Sequence, residues 1–162
     1  MLTMKSSVCI KASAKDTWAI LSDLEKIADW VEPVQSAHCP GDKSRGVGAK
    51  RVCLLNGNVE IFEEIVQWVE NESFTYTGAN IPLVETARNT WSVVAQGEHA
   101  LVITESTLTL KYGIIGRLLE PLMKIMSSRM GANSLASLKY YIENGQPYTG
   151  KASKLPRAPI SC

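Results

Sequence analysis

Charged side chains inside otherwise apolar segments are the residues of this chain best suited to chemistry. Arg51 stands two residues before Cys53, and Glu63 stands two residues before Ile65, in runs rich in Val, Ile and Leu. Alternate residues of a β-strand share one face, so an inward turn of both strands brings Arg51 and Glu63 into the interior together. Such a close pair remains ionised and can anchor a polar group of a ligand. An outward ion pair on a solvated sheet face fits the same spacing.

Further candidates lie in the strand-like segments that follow. Tyr76 and Asn89 carry polar groups that can orient a ligand carbonyl or hydroxyl, and Trp91 has the same strand parity as Asn89. Aromatic residues at such positions also fill cores. Glu105 has the same parity as Ile103, but a register shifted by one residue sends its carboxylate to solvent.

A methionine-rich stripe on the last regular segment is the other candidate wall of a binding site. Flexible thioether side chains adapt to irregular guests, and they fill cores equally well. The complete set of predicted ligand contacts is Arg51, Cys53, Glu63, Ile65, Tyr76, Asn89, Trp91, Glu105, Leu122, Met126 and Met130.

The elements that must position these residues follow from hydrophobic spacing and turn signals. Ser13 and Asp16 form a capping box, which predicts a helix start, and two short helices extend to Trp30. Asn56-Gly57 between two apolar runs is the strongest hairpin signal of the chain. About seven strands are expected, at residues 5–12, 34–40, 47–55, 58–68, 73–78, 84–96 and 100–112.

A long helix is predicted from about residue 114 to residue 144. Its first half carries one apolar stripe, and its second half carries another that points nearly the opposite way at about 100° per residue. One straight helix on one surface cannot bury both, so we expect a bend near Gly131 or Pro121, or contacts on different sides at the two ends. The two stripes are Leu118, Leu122, Ile125 and Met126, and Leu135, Leu138 and Ile142.

Composition limits the class of protein. The chain has 162 residues and a formal net charge of +1, which fits one domain and disfavours binding to nucleic acid. The sequence has no apolar run long enough to span a membrane and no signal peptide, so a cytoplasmic location is expected. The four scattered cysteines are interpreted as reduced thiols, although their even number leaves a disulfide possible. Neither histidine has ligands at metal-binding spacing, so no metal and no cofactor is expected.

This order of elements predicts an α+β helix-grip fold. A curved antiparallel sheet of about seven strands must cover its apolar face, and the long C-terminal helix is the large element available to do so. Two short helices follow the first strand. Residues 1–145 form the predicted domain, and residues 146–162 are interpreted as a flexible tail because they are rich in Pro, Lys and Ser. Space between a concave sheet and a helix is a typical small-molecule site.

Several segments together resemble a known superfamily. The chain is similar to START-related proteins, also called SRPBCC or Bet v 1-like helix-grip proteins, and it most resembles the polyketide cyclase/dehydrase and lipid-transport branch. The resemblance implies a deep hydrophobic cavity, with Arg51, Glu63 and Tyr76 at positions that the branch tends to keep. Glu105 departs from the pattern, since many members have Trp there. The segments that carry the resemblance are 10–23, 48–51, 56–57, 63–65, 74–76 and 135–145.

Three hypotheses for function follow. The leading one is a monomeric or weakly dimeric protein that binds or transports a small hydrophobic ligand, such as a lipid, polyketide or isoprenoid-like molecule. The second is a cyclase or dehydratase in which Glu63 acts as general base. The third is a module that binds a quinone or a protein partner through an apolar patch at the cavity mouth, including residues 81–83.

Overall fold

The computed structural model describes residues 1–111 and 113–162, without the side chains of residues 115 and 117. The described residues form seven strands and three α-helices, in the predicted order. The elements are β1 (Leu2–Ile10), α1 (Ala14–Leu21), α2 (Ile27–Trp30), β2 (Val34–His38), β3 (Lys50–Leu55), β4 (Val59–Val69), β5 (Ser73–Ala79), β6 (Val84–Gln96), β7 (His99–Leu110) and α3 (Gly113–Asn144). The predicted helix-grip fold is confirmed.

A single antiparallel sheet contains all seven strands, in the order β1-β7-β6-β5-β4-β3-β2. Strands β2 to β7 pair with their neighbours in sequence, whereas β1 joins the far side against β7. The predicted Asn56-Gly57 turn joins β3 to β4, and both Gly57 and Asn58 adopt positive φ there. Ser13 caps α1 by accepting a hydrogen bond from the backbone N–H of Asp16.

The core lies between the concave face of the sheet and the helices. Trp18 and Leu21 of α1 are buried against it, as are Val8 of β1 and Val102 of β7. Leu138 of α3 has no exposed surface and belongs to the same core. The second half of α3 therefore grips the sheet.

The first half of α3 leaves its apolar stripe in solvent. Leu138 in the second half is 0% exposed, whereas Leu122 in the first half is 57% exposed. The helix is continuous through Pro121 and Gly131, so the conflict between the two predicted stripes is resolved by exposing one of them. No described helix, α3 included, is both long and apolar enough to cross a membrane.

The C-terminal segment contacts the domain at several points and is bonded to it covalently. A disulfide joins Cys9 of β1 to Cys162, so the prediction of four reduced thiols is wrong for these two. The N–H of Cys9 donates to the Pro159 carbonyl at 2.8 Å, and the buried Ala152 donates to Glu32 Oε2 at 3.0 Å. The two cysteines are 153 residues apart, and such a distance in sequence gives no sign of the pairing. The boundary at residue 145 and the flexibility of the segment remain predictions.

Candidate functional site

The ion pair between Arg51 and Glu63 lies on the concave face of the sheet. The two residues are directly opposite one another on β3 and β4, and Arg51 Nε lies 2.6 Å from Glu63 Oε2. Arg51 is 3% exposed and Glu63 is 7% exposed, so this is a buried pair and not a solvated one. Arg51 Nη1 also donates to the Leu24 carbonyl at 3.0 Å. The pair is therefore fixed from two directions, which offsets the cost of removing both charges from water.

Cys53 and Tyr76 surround this ion pair. The Cys53 thiol donates weakly to Glu63 Oε2 at 3.6 Å, and burial together with the Glu63 charge raises the pKa of Cys53 to about 12. The Arg51 guanidinium lies over the Tyr76 ring, 5.2 Å from its centre. Burial works against the charge of Arg51, but the neighbouring Glu63 carboxylate outweighs it and raises the pKa of the guanidinium above its ordinary value. Arg51 stays charged.

A second set of hydrogen bonds continues from Tyr76 across the sheet. Asn89 Nδ2 donates to the Tyr76 hydroxyl at 2.9 Å. Asn89 Oδ1 accepts from Thr104 Oγ1 at 3.0 Å and from Ser106 Oγ at 2.9 Å. Burial, then the charge of Glu63, raises the pKa of Tyr76 to about 12, so the phenol is neutral at ordinary pH. The polar cluster, as we call it below, comprises Arg51, Cys53, Glu63, Tyr76, Asn89, Thr104 and Ser106.

Exposure changes along the concave face. Trp91 and Thr104 are buried, and Trp30 of α2 packs edge-on against Trp91 with ring centres 5.2 Å apart. Tyr76 and Asn89 lie on the same face but are only half-buried. Tyr76 and Asn89 are therefore less completely buried than the end closed by the two tryptophans.

A groove of about 290 Å³ lies between the middle of α3 and the chain that follows α2. Its methionines are two of the predicted ligand contacts, and both remain about half exposed, so the groove opens to solvent. None of the other predicted contacts described here lines it. The lining residues are Glu32, Pro33, Met126, Arg129, Met130, Asn133 and Ser134.

Two of the predicted ligand contacts are on the surface. Glu105 is exposed and pairs with Lys5 on β1, because the register of β7 turns Thr104 to the concave face in its place. Leu122 is 57% exposed. Their predicted positions in the cavity are wrong. Cys53, Ile65 and Trp91 are buried in the hydrophobic core.

Sequence reasoning missed several residues of the site. Thr104 and Ser106 have the strand parity opposite to Glu105, and that parity was the signal available for them. The Leu24 carbonyl, Glu32 and Arg129 had no sequence signal, because their positions depend on how the helices pack. Across residues 1–111 and 113–162, no three His, Cys, Asp or Glu side chains are grouped to hold a metal ion.

Comparison with known proteins identifies the family. Residues 1–143 match the family described as polyketide cyclase / dehydrase and lipid transport, and the chain belongs to this family. No curated protein matches the sequence.

Solved structures share the fold at low sequence identity. TTHA0849 from Thermus thermophilus is 18% identical with a TM-score of 0.75, and the match covers 89% of this chain and 99% of that protein. A START superfamily protein from Mycobacterium smegmatis is 15% identical with a TM-score of 0.69, and the match covers 89% and 99%. The Zhui aromatase/cyclase from Streptomyces sp. R1128 is 11% identical with a TM-score of 0.75, and the match covers 88% and 94%. These likenesses define the fold and leave the activity open.

Proposed function

We propose that this protein binds a small, mainly apolar molecule that carries a carbonyl or hydroxyl oxygen. The ligand lies between the concave face of the sheet and the first half of α3. Membership of a family described by polyketide cyclisation and lipid transport supports this class of ligand. The observation that carries the proposal is the half-buried Tyr76–Asn89 pair on a face whose neighbouring side chains are buried.

The Tyr76 hydroxyl is suited to donate a hydrogen bond to the ligand. Its oxygen already accepts from Asn89 Nδ2, and no acceptor for its proton occurs among the hydrogen bonds of the described residues. A hydroxyl has one donor and two acceptor sites, so the proton is free for a ligand oxygen. Asn89 is itself held by Thr104 and Ser106, which fixes the hydroxyl before the ligand arrives.

We assign the apolar body of the ligand to the methionine groove, whose lining residues do not include Tyr76 or Asn89. Met126 and Met130 supply adaptable apolar surface, and burial of such surface contributes about 25 cal/mol per Å². The groove volume of about 290 Å³ is near the lower end of small-molecule pockets, roughly 300 Å³. A single small ligand fits this space.

The geometry favours binding over catalysis by Glu63. A general base must be able to take a proton from the substrate. Glu63 is instead engaged by Arg51 at 2.6 Å and by the Cys53 thiol, and it is 7% exposed. We therefore assign Glu63 to holding Arg51 beneath Tyr76, and treat the cyclase or dehydratase hypothesis as the less supported one.

A pair of fluorescent probes tests this proposal. Prodan is a naphthalene that bears a propionyl carbonyl, and 2-dimethylaminonaphthalene lacks that carbonyl. We expect the protein to bind both, and we expect Tyr76→Phe to weaken prodan about fivefold, since one hydrogen bond contributes about 1 kcal/mol. Binding of the probe without a carbonyl should be unchanged.

Tyr140→Phe is the matched control, because Tyr140 packs against Tyr148 on the outer side of α3. It should leave both affinities unaltered, and thermal unfolding should verify that each variant is folded. Absence of binding for both probes contradicts the proposal. If Tyr76→Phe lowers the affinity for both probes equally, the hydroxyl does not bind the ligand carbonyl.

A further inference from the structure

The first half of α3 carries an apolar stripe that covers nothing in the domain. We call it the outer stripe, and define it as Ile114, Leu118, Leu122, Ile125, Met126 and Met130. Ile114 is 78% exposed and Leu118 is 77% exposed, and the other four are all more than half exposed. Single exposed apolar residues are ordinary, but a continuous stripe of large ones marks an interaction surface.

The outer stripe has the geometry of an amphipathic helix. At about 100° per residue its members fall within roughly 160° of one another, and 17 residues at 1.5 Å span about 25 Å. The adjoining face packs on the domain, since Met123 contacts the small cluster of Leu2, Val84 and Leu110. The helix is thus held on one side while its outer stripe is free.

The charges around the outer stripe favour an anionic partner. Residues 111–130 contain four basic residues and one acidic residue, Glu120. At about 100° per residue Glu120 and Lys124 both project away from the middle of the outer stripe, which leaves Arg129 as the charged residue within it. Arg129 falls among the apolar members of the stripe and is exposed. The outer stripe has no acidic member, so the same stripe of a second copy offers no partner for Arg129. At an anionic bilayer its apolar stem can be buried while the guanidinium reaches lipid phosphates.

The outer stripe is continuous with the groove. Met126 and Met130 belong to both, and Arg129 lines the groove as well. An apolar ligand leaving the groove would therefore emerge beside the surface on which the outer stripe docks.

We propose that the outer stripe of α3 docks on the surface of an anionic lipid bilayer, where the groove takes up or releases its ligand. The ligand-exchange part of this inference rests on the proposed function, whereas the docking itself does not. The helix lies in the interface with its apolar side chains among the acyl chains and Arg129 at the headgroups.

Vesicle co-sedimentation tests the docking. The protein should bind phosphatidylcholine vesicles that contain phosphatidylglycerol more tightly than vesicles of phosphatidylcholine alone, and added salt should reduce the difference. Ile114→Asp combined with Leu118→Asp should lower the partition coefficient at least about tenfold, because two large aliphatic side chains no longer enter the bilayer.

The matched control is Val47→Asp combined with Val69→Asp, which adds the same charges at exposed apolar positions outside α3. It should bind vesicles as the unaltered protein does. Equal loss in both double variants, or no vesicle binding by the unaltered protein, overturns the docking. A dimer in solution that the Ile114/Leu118 variant abolishes also overturns it, and assigns the stripe to a second copy.

Prodan binding in solution separates the two proposals. The Ile114/Leu118 variant should keep its affinity for prodan, because neither residue lines the groove. Vesicle docking without prodan binding would leave the docking standing and remove the proposed function. Prodan binding without vesicle docking would leave the proposed function standing and overturn the docking.

Discussion

At the scale of residues, burial converts an ordinary cross-strand pair into the organising feature of the site. Arg51 and Glu63 are opposite one another in the sheet, but the bond from Arg51 to the Leu24 carbonyl ties the pair to the turn before α2. The guanidinium then supports the Tyr76 ring, and Asn89 holds the Tyr76 hydroxyl. Arg51 and Asn89 therefore position the Tyr76 phenol without having to contact the ligand themselves.

The raised pKa of Cys53 predicts a loss of stability at alkaline pH. In the unfolded chain the thiol ionises near its ordinary pKa of 9.0, whereas burial beside Glu63 raises the folded pKa to about 12. The contribution of the buried, neutral Cys53 thiol to stability is thus complete below pH 9 and is lost as the pH rises toward 12. We expect the free energy of unfolding to fall by roughly 1–2 kcal/mol between pH 9 and pH 10.5 from this group alone.

Rapid urea unfolding and refolding across this pH range, with Cys53→Ala for comparison, measures the effect. The stability advantage of the unaltered protein over Cys53→Ala should shrink with rising pH. Ile65→Val serves as control because Ile65 is equally buried and does not titrate. Parallel pH curves for the unaltered protein and Cys53→Ala would show that the folded thiol ionises normally.

At the scale of elements, α3 performs two different tasks. Its second half supplies the buried residues Leu135 and Leu138, which cover the concave face. Its first half supplies the methionines of the groove and the exposed outer stripe. Since the two apolar stripes point in nearly opposite directions, a continuous helix can bury only one of them. The sheet determines which one, because it curves around the second half.

Alanine substitutions in the two stripes should differ sharply in their cost. Leu138→Ala removes a fully buried side chain and should lower the free energy of unfolding by about 2–5 kcal/mol. Leu122→Ala, the same change at a position that is 57% exposed, should cost less than about 0.5 kcal/mol. Urea denaturation of both variants measures the difference. Similar losses for both would mean that Leu122 itself packs on the domain.

At the scale of the whole molecule, the C-terminal segment closes the chain on itself. It runs beside the outer edge of β1, where the Cys9 N–H donates to Pro159, and Ser7 Oγ donates to the Ile160 carbonyl. An edge strand presents unpaired backbone groups, and this segment covers part of them. Stable disulfides are typical of oxidising compartments, so the cytoplasmic location inferred from the sequence stays a prediction.

Loss of the disulfide should destabilise the protein. Cys162→Ser opens a loop with a sequence separation of 153 residues and should lower the free energy of unfolding by about 2–4 kcal/mol. Urea denaturation without reductant compares this variant with Cys39→Ser, which removes a free thiol and should change the free energy of unfolding little. The unaltered protein in reductant should behave as Cys162→Ser does. If reductant leaves its stability unchanged, the crosslink does not contribute.

Local patterns determined much of this protein. The Asn56-Gly57 turn, the capping residue Ser13 and the alternating strands were readable because each depends on neighbours close in the sequence. The same hairpin placed Arg51 and Glu63 on neighbouring strands, and the two opposed stripes of α3 followed from helical periodicity.

Only the tertiary structure decided which faces are inside. The orientation of Arg51 and Glu63 toward the core, the exposure of Glu105 and the choice of the Leu138 stripe over the Leu122 stripe depend on how a whole sheet curves. Strand parity alone allows either face of a strand to point inward, and packing of the core selects one of the two faces. The bond between Cys9 and Cys162 depends likewise on the path of the returning chain, for which the residues near either cysteine carry no signal.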